Sequence, residues 1–306
     1  MMTLLSNRPS RRFLTLDVFT DSALAGNPLA VVLDADRLDD VAMQKIAAEF
    51  NLSETVFVLP PEDIAHRARL RIFTPTQELP FAGHPTVGAA VLLGLLDGAP
   101  TGSFTVEERV GLVPCEVAIA GDGVGEATFS LPRLPERVGA LPEASIIAAA
   151  LGLVDSDIGF ARHVPAQYSA GSPFALVPVA SRAAVDRAAN MKVGWDAAFG
   201  QVKRGSAFIY CSEPVDPAHR FYARMFAPSL GIGEDPATGS AVAAFAGAVM
   251  DHETLGNGEH RIVVEQGYAM GRPSQIVLTL TVADGALAKA TIGGKAVLVS
   301  EGRLFA

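Results

Sequence analysis

The chain carries the stretch Leu70-Arg71-Ile72-Phe73-Thr74-Pro75 in its first half and Ala223-Arg224-Met225-Phe226-Ala227-Pro228 in its second. Two further pairs of similar stretches keep the same order, residues 25–31 with 170–176 and residues 83–90 with 239–244. Their offsets are 145 and about 156, on either side of the 153 that separates Arg71 from Arg224. Chance similarity between turns of small residues could explain one pair. Three pairs in register favour an internal duplication.

The same order of elements is predicted for each half. A Gly-Asn-Pro or Gly-Ser-Pro turn leads into an apolar strand, over residues 29–33 or 175–179. An Ala/Val/Gly-rich helix comes later, at His84–Leu96 or Thr238–Val249, and it is apolar almost all round. Such a helix is expected to be buried. Each half is therefore interpreted as a sheet curled around its own central helix.

The first half also shows local signals. The pattern predicts strands at Phe13–Phe19, Thr55–Leu59 and Arg69–Thr74, and a helix at Val41–Phe50 that Asp39 or Asp40 can cap. The alternating Arg67, Arg69 and Arg71 share one face of a strand, which we interpret as a solvated sheet surface. Gly121–Gly125 lies between two strand-like runs and is interpreted as a hairpin turn rather than a nucleotide site. Three prolines within residues 132–142 mark the predicted boundary between a lobe over 1–132 and a lobe over 133–294. A final strand near 295–306 could return to the N-terminal lobe.

Composition and charge limit the class of protein. The 306 residues are 49% apolar and 19% charged, which excludes a disordered chain, and the net charge of −9 argues against a nucleic-acid partner. Two cysteines, Cys115 and Cys211, are too few for a disulfide framework and fit a reducing compartment. The longest apolar runs, Val87–Leu96 and Ala241–Met250, are about half of the roughly 20 residues that a bilayer requires. We therefore expect a cytoplasmic protein with a small-molecule partner and no membrane contact.

Two glycine-containing helix starts remain as candidate sites, since the hydrolase elbow, HExxH, Walker and CxxC motifs are missing from the sequence. They are Phe81–Thr86 and Gly233–Ser240. Glycine allows a ligand to approach the backbone, and the free amides of a helix start favour an anion. The two starts would suit a small carboxylate. The alternative is that both are merely capped turns, because Asp235 and Thr238 are common N-cap residues.

Two side chains near these starts could transfer protons. Glu54 lies at the junction of a helix and a buried strand, where partial desolvation would raise its pKa towards the range useful for catalysis. His84 lies within the first helix start and could donate a hydrogen bond or relay a proton. The alternatives are a solvated loop glutamate and a histidine that only caps a turn. The five other histidines, in polar or loop-like contexts, receive no role.

Several motifs together resemble the PhzF family of phenazine-biosynthesis-like proteins. They are Ala25-Gly26-Asn27-Pro28, Asn51-Leu52-Ser53-Glu54-Thr55, Glu78-Leu79-Pro80-Phe81-Ala82-Gly83-His84-Pro85, Gly233-Glu234-Asp235-Pro236-Ala237-Thr238-Gly239-Ser240-Ala241 and the closing Gly293-Gly294-Lys295. The resemblance covers almost the whole chain. It implies an α+β fold of two pseudo-symmetric lobes, each a curled, mostly antiparallel sheet around a central helix, as in diaminopimelate epimerase, with the active site between the lobes.

The resemblance also implies a function and a set of residues. The expected activity is a cofactor-independent and metal-independent isomerisation of a small carboxylate by a homodimeric enzyme, with Glu54 as the acid/base and His84 and Asp235 as its catalytic partners. Asn27, Gly83, Ser172, Gly239 and Ser240 are predicted to bind the substrate. Related epimerases place a cysteine at each helix start, where this chain has Ala82 and Thr238. An amino-acid epimerase or racemase of the same fold, or a non-catalytic small-ligand binding protein, are the alternatives.

Overall fold

A computed structural model describes residues 10–202 and 205–305 of the chain. The chain divides into two compact units: unit 1 comprises residues 1–24, 28–127 and 295–306, and unit 2 comprises residues 25–27 and 128–294. The first nine residues and residue 306 of the predicted N-terminal lobe lie outside the described ranges. No helix in those ranges is both long enough and apolar enough to span a bilayer.

Unit 1 is mostly sheet with two helices. Its elements are β1 (Arg11–Val18), β2 (Asn27–Val32), α1 (Asp40–Phe50), β3 (Glu54–Leu59), β4 (Ala68–Phe73), β5 (Glu78–Leu79), α2 (Gly83–Asp97), β6 (Thr101–Glu108) and β7 (Gly111–Gly121). Three strands contribute residues to both units: β2 through Asn27, β8 (Val124–Ser130) and β17 (Ala286–Leu304).

Unit 2 repeats this plan and has four α-helices in the described ranges, where unit 1 has two. Its elements are β9 (Glu136–Ala140), α3 (Ala144–Leu151), β10 (Ala166–Ser169), β11 (Pro173–Pro178), α4 (Arg182–Arg187), α5 (Trp195–Phe199), β12 (Ala207–Cys211), β13 (Phe221–Ala227), β14 (Ile232–Asp235), α6 (Gly239–His252), β15 (Gly258–Gln266) and β16 (Ser274–Ala283). Trp195 and Phe199 of α5 and Leu151 of α3 belong to a second apolar core, packed against the buried side chains of β11 and β12.

Strand pairing confirms the duplication. In unit 1, β2 and β3 are parallel, β3 and β4 antiparallel, β4 and β5 antiparallel, β4 and β6 parallel, and β6 and β7 antiparallel. In unit 2, the same five relations hold for β11–β12, β12–β13, β13–β14, β13–β15 and β15–β16. Arg71 lies on β4 and Arg224 on β13, so the first repeat recognised in the sequence occupies equivalent strands.

The two apolar helices are buried as predicted. Residues 83–94 of α2 are all buried, and so are residues 241–249 of α6. In unit 2 the ring of Phe245 packs against Phe208, Tyr210 and Phe221 at centroid distances of 4.6–5.9 Å. Burying each such ring contributes about 1.5–3 kcal/mol, which exceeds what helix propensity supplies to an alanine- and glycine-rich segment.

Most local predictions are confirmed, with ends that shift by one to three residues. Asp39 caps α1 by accepting a hydrogen bond from the Ala42 amide at 2.7 Å. The β7–β8 turn is a tight hairpin in which Asp122 and Gly123 both have positive φ. The first strand ends at Val18 rather than Phe19 because Phe19 adopts a left-handed conformation, φ 65°. The proline-rich segment is not wholly irregular, since β9 forms between two of its prolines.

The predicted solvated arginine face is wrong in part, because each of its arginines has a carboxylate partner. Arg67 binds Asp97 at 2.6 Å, Arg69 binds Glu62 at 2.6 Å, and Arg71 binds Glu78 at 2.8 Å. The side chain of Arg71 is only 19% exposed. The pattern of arginines predicted the shared face, but the partners come from other elements and could not be found from the strand alone.

Candidate active site

Glu54 and His84 lie side by side in unit 1. Glu54 is the first residue of β3, and its side chain is 14% exposed. The chain enters this strand through Asn51, whose left-handed conformation (φ 52°) ends α1. His84 is the second residue of α2 and its side chain is 5% exposed. Oε2 of Glu54 and Nε2 of His84 are 3.5 Å apart. Two titratable groups are thus held together at the start of a buried helix.

His84 is a neutral imidazole near pH 7. Burial lowers its pKa to about 3, because desolvation penalises the imidazolium. Its Nε2 is shielded from solvent and has no hydrogen-bond partner within the described ranges. A buried polar atom without a partner is uncommon in proteins and marks a position that a ligand can satisfy. His84 can therefore hydrogen-bond to a ligand beside the Glu54 carboxylate.

Backbone amides lie next to this pair. Gly83 begins α2, and Ala82 at its N-cap makes no side-chain capping hydrogen bond. The N–H groups of the first helical residues have no acceptor within the helix, and the helix dipole favours negative charge at this end. The start of α2 can therefore hold a carboxylate near Glu54 and His84.

Unit 2 holds the predicted residues Asn27 and Asp235 together. The Asn27 amide donates to Asp235 Oδ1 at 3.0 Å and to the Ala237 carbonyl at 2.9 Å. Thr238 donates its hydroxyl proton to Asp235 Oδ2 at 2.5 Å. Thr238 occupies the N-cap position of α6 but makes no side-chain capping bond, since its hydroxyl is committed to Asp235. The interpretation of Asp235 and Thr238 as ordinary capping residues is therefore wrong.

Gln266 belongs to the same cluster and was missed from the sequence. It is fully buried at the end of β15. Its Oε1 accepts from the Thr238 amide at 3.0 Å, and its Nε2 donates to the Asp235 carbonyl at 2.8 Å and to the Thr238 hydroxyl at 3.1 Å. It fixes the segment that presents Gly239 and Ser240 at the start of α6. The internal repeat could have pointed to it, since it follows Glu265 as Glu108 follows Glu107.

Ser172 lies in the turn before β11, in unit 2, and is partly buried. It is the counterpart of Asn27 at the offset of 145. No hydrogen bond found in the described part of the chain joins it to Asp235 or Ser240. Its predicted role in substrate binding stays a prediction.

Equivalent positions in the two units carry different chemistry. The strand registers align Thr55 with Ala207, so Glu54 corresponds to Ser206. They also align Leu79 with Asp235, because these residues pair with Ile72 and Met225 respectively. Glu54 of unit 1 and Asp235 of unit 2 therefore lie on non-equivalent strands, β3 and β14. The duplication has produced an asymmetric pair of residue sets rather than two copies of one set.

Two histidines that received no role form a duplicated structural motif. In unit 1, Glu107 accepts from the amides of Glu62 and Asp63 and binds His66 Nδ1 at 2.7 Å. In unit 2, Glu265 makes the same three contacts with the amides of Val215 and Asp216 and with His219 Nδ1. These donors lower the pKa of Glu107 to about 2.

The signal for this motif was present in the sequence. Pro61–Arg67 resembles Pro214–Arg220 at the offset of 153, a fourth pair of matched stretches. His163 lies outside the helices and strands, between α3 and β10, in the loop-like context predicted for it, but it is buried. It is 3% exposed, with Nδ1 3.0 Å from the Tyr210 hydroxyl.

The cysteines take no part in either residue set. Cys115 is 1% exposed and Cys211 is fully buried. Burial raises the pKa of Cys115 to about 12 and that of Cys211 to about 11. Both cysteines serve as small apolar core residues.

The family model for phenazine biosynthesis-like proteins (PhzC/PhzF) matches residues 16–302. The chain belongs to the PhzF family. It is 49% identical over 300 residues to an uncharacterised isomerase of Mesorhizobium japonicum, covering 97% of this chain and 99% of that one. It is 32% identical over 300 residues to the trans-2,3-dihydro-3-hydroxyanthranilate isomerase of Pseudomonas aeruginosa, covering 96% and 99%.

Solved structures of PhzF proteins agree with the fold. A PhzF protein of Bacillus anthracis matches with a TM-score of 0.87 and 26% identity, over 97% of this chain and all of the other. A hydroxyproline epimerase of Agrobacterium vitis matches with a TM-score of 0.67 and 12% identity, over 98% and 93%, and shares the fold alone. The predicted family, the epimerase-like α+β fold and the prediction of an isomerase are confirmed, and a non-catalytic binding protein is not favoured.

Proposed function

We propose that this PhzF-family isomerase moves a proton between two carbon atoms of a small carboxylate substrate, with Glu54 as the acid/base. The observation that carries the proposal is the pairing of Glu54 with a buried, neutral His84 at 3.5 Å. As a carboxylate, Glu54 can take a proton from an activated carbon. The electron pair then shifts through the conjugated system of the substrate, and the carboxylic acid returns the proton at the far end of that system.

His84 has a supporting role in this mechanism. Because its imidazole is neutral, it adds no positive charge beside the Glu54 carboxylate. Its Nε2 can hydrogen-bond to a substrate heteroatom and hold the reacting carbon near Glu54. The amides at Gly83 would hold the substrate carboxylate. Polar substituents of the substrate would be bound by Asp235, Asn27, Gly239 and Ser240. That the residue sets of both units serve one substrate is predicted from the family resemblance alone.

An epimerase with two opposed bases is the second candidate, and the asymmetry of the two units disfavours it. Inversion needs one base on each face of the substrate carbon. The helix starts carry Ala82 and Thr238 rather than thiols, and the counterpart of Glu54 is Ser206. A single carboxylate that both removes and returns the proton favours isomerisation.

The test is proton exchange with solvent deuterium, followed by NMR. The first probe is trans-2,3-dihydro-3-hydroxyanthranilate, the compound named for the Pseudomonas relatives, followed by other unsaturated carboxylates. Glu54→Gln keeps the shape of the side chain but cannot carry the proton. We expect its rate to fall by about 10²–10⁴ while ligand binding persists, because loss of a placed acid/base costs that much. Glu116→Gln, at an exposed position of β7, is the matched control and should keep the full rate.

Two outcomes would refute the proposal. One is a Glu54→Gln enzyme with the rate of the parent. The other is a rate that a chelator abolishes and added metal restores, since the proposed proton transfer requires only the side chains named above.

A further inference from the structure

Glu108 is a buried carboxyl group that the proposed mechanism does not use. It is the last residue of β6 and is 8% exposed. Its Oε1 lies 2.7 Å from the hydroxyl oxygen of Thr86, in the first turns of α2. Its Oε2 is shielded from solvent and has no hydrogen-bond partner within the described ranges. An ionised carboxylate in this setting would have one oxygen desolvated without compensation.

The hydrogen bonds of Thr86 indicate where the proton lies. The Thr86 hydroxyl is 2.8 Å from the Ala82 carbonyl oxygen as well as 2.7 Å from Glu108 Oε1. A hydroxyl has one proton, and a carbonyl oxygen can only accept. A helical threonine commonly donates to the carbonyl four residues earlier. If Thr86 donates to Ala82, the contact with Glu108 is a hydrogen bond only when Glu108 is the donor, that is, a protonated acid.

Unit 2 contains the neutral counterpart of this group. Glu107 and Glu265 occupy equivalent registers on β6 and β15, so Glu108 corresponds to Gln266. Gln266 reaches the start of α6 just as Glu108 reaches the start of α2. An amide and a protonated carboxylic acid are alike in shape and each can donate a hydrogen bond. A neutral hydrogen-bond donor therefore fits this position in both units.

We propose that Glu108 is a positioning residue that works as a protonated acid: through Thr86 it holds the Ala82 carbonyl and the first turn of α2, and with them His84 beside Glu54. The importance of Glu108 for catalysis rests on the proposed function, whereas its protonation state is independent of that function. Ionisation of Glu108 would remove its donor hydrogen, leave a charge beside the helix start, and release the turn that carries His84.

Glu108 has a raised pKa, whereas three titratable neighbours have pKa values far from the range around pH 8. Burial raises its pKa to about 8, and its hydrogen bond with Thr86 opposes this only in part. Cys115 on β7 has a pKa of about 12 and His84 on α2 a pKa of about 3, so both are neutral there at pH 7. Glu107 alternates to the opposite face of β6, where it binds His66.

Glu78, Arg71 and Arg109 line the same cleft as Glu108. Arg71 and Arg109 both bind Glu78. Hydrogen bonding to Arg71 lowers the pKa of Glu78, so that pair keeps its charges throughout the alkaline range.

Infrared difference spectroscopy of the parent against Glu108→Gln tests the protonation state. The parent should show the carbonyl band of a protonated carboxylic acid at pH 7, and this band should disappear near pH 8. Glu116→Gln should leave it in place. Absence of the band at pH 7 would overturn the proposal, whatever the enzyme's activity.

Two further readouts test the positioning role. The melting temperature of the parent should fall relative to that of Glu108→Gln as the pH rises from 5 to 8, because the folded state alone retains the proton there. In the exchange assay, the parent should lose activity about tenfold per pH unit above pH 8, whereas Glu108→Gln should stay active. Parallel melting profiles, or the same alkaline loss in both proteins, would overturn it. If neither protein exchanges protons of any probe, the proposed function fails and the protonation result stands.

Discussion

Replacing Asn27 by aspartate tests the buried cluster of unit 2 with the smallest possible change. Asn27→Asp exchanges an N–H donor for an oxygen and leaves the shape unchanged. Asn27 is fully buried, and its amide donates to Asp235 Oδ1 at 3.0 Å and to the Ala237 carbonyl at 2.9 Å. The variant would place a second carboxylate 3.0 Å from the first. Both hydrogen bonds donated by the Asn27 amide would be lost, and the two carboxylates would repel each other.

The size of the effect follows from two competing costs. Two charges at that separation repel by about 5.5 kcal/mol with an effective dielectric constant of ~20. Protonating one carboxyl avoids this and costs about 4 kcal/mol at pH 7, from an ordinary pKa near 3.9. Protonation is therefore the lower-energy solution. Its proton restores one hydrogen bond, and losing the other adds about 1 kcal/mol. We expect a loss of about 5 kcal/mol in the free energy of unfolding at pH 7.

The pH dependence distinguishes this account from simple damage to the fold. In the folded variant, one carboxyl has its pKa raised above the unfolded value, so the folded state binds more protons between the two values. Stability then falls as the pH rises, by about 1.4 kcal/mol per pH unit. The defect should therefore be about 3 kcal/mol smaller at pH 5 than at pH 7.

Urea unfolding of the parent and the variant at both pH values measures the difference. Asn257→Asp is the matched control, because its oxygen accepts from the Gly285 amide in an exposed turn and an aspartate oxygen can do the same. The reasoning is refuted if Asn27→Asp lies within 1 kcal/mol of the parent at pH 7. It is also refuted if the variant shows equal defects at both pH values.

Two further predictions concern the interior. Gly88→Ala should destabilise the fold by about 1–3 kcal/mol, because its Cβ would lie 2.6 Å from the Leu29 side chain. Thermal unfolding measures this loss. The control is Gly233→Ala, which has open space around it and should keep the melting temperature of the parent. Cys115 and Cys211 should resist a thiol-specific reagent at pH 8 in the native state, since burial raises the pKa of both. Both should react fully in denaturant. Fast labelling without denaturant would contradict their placement in the core.

The duplicated scaffold was predictable because its signals are local. The stretch around Arg71 repeats around Arg224, and the two apolar helices are recognisable from composition alone. Their observed ends, Gly83–Asp97 and Gly239–His252, differ from the predicted ends by one to three residues. Helix ends depend on capping contacts, which involve residues outside the periodic pattern.

The contacts within the site were less predictable because they join distant parts of the chain. Glu54 and His84 are separated by thirty residues, and nothing in either local motif shows that they meet. Gln266 and Glu108 come from the ends of strands whose partners are set by the sheet register. The matched stretches around His66 and His219 were visible in the sequence. Their role became clear only from the carboxylate that each surrounds.

The path of β17 has a consequence for synthesis on the ribosome. Residues 296–304 of this strand pair with β1, at residues 11–18. The first strand of unit 1 is therefore synthesised nearly three hundred residues before the strand that pairs with it. Apart from residues 25–27, unit 2 is one continuous segment, 128–294, and all of it is translated before that partner. The strand β1 therefore keeps an open edge throughout the synthesis of unit 2. Such an edge invites pairing with other chains, so nascent chains that stall before residue 296 should be the species most prone to aggregation and most dependent on chaperones.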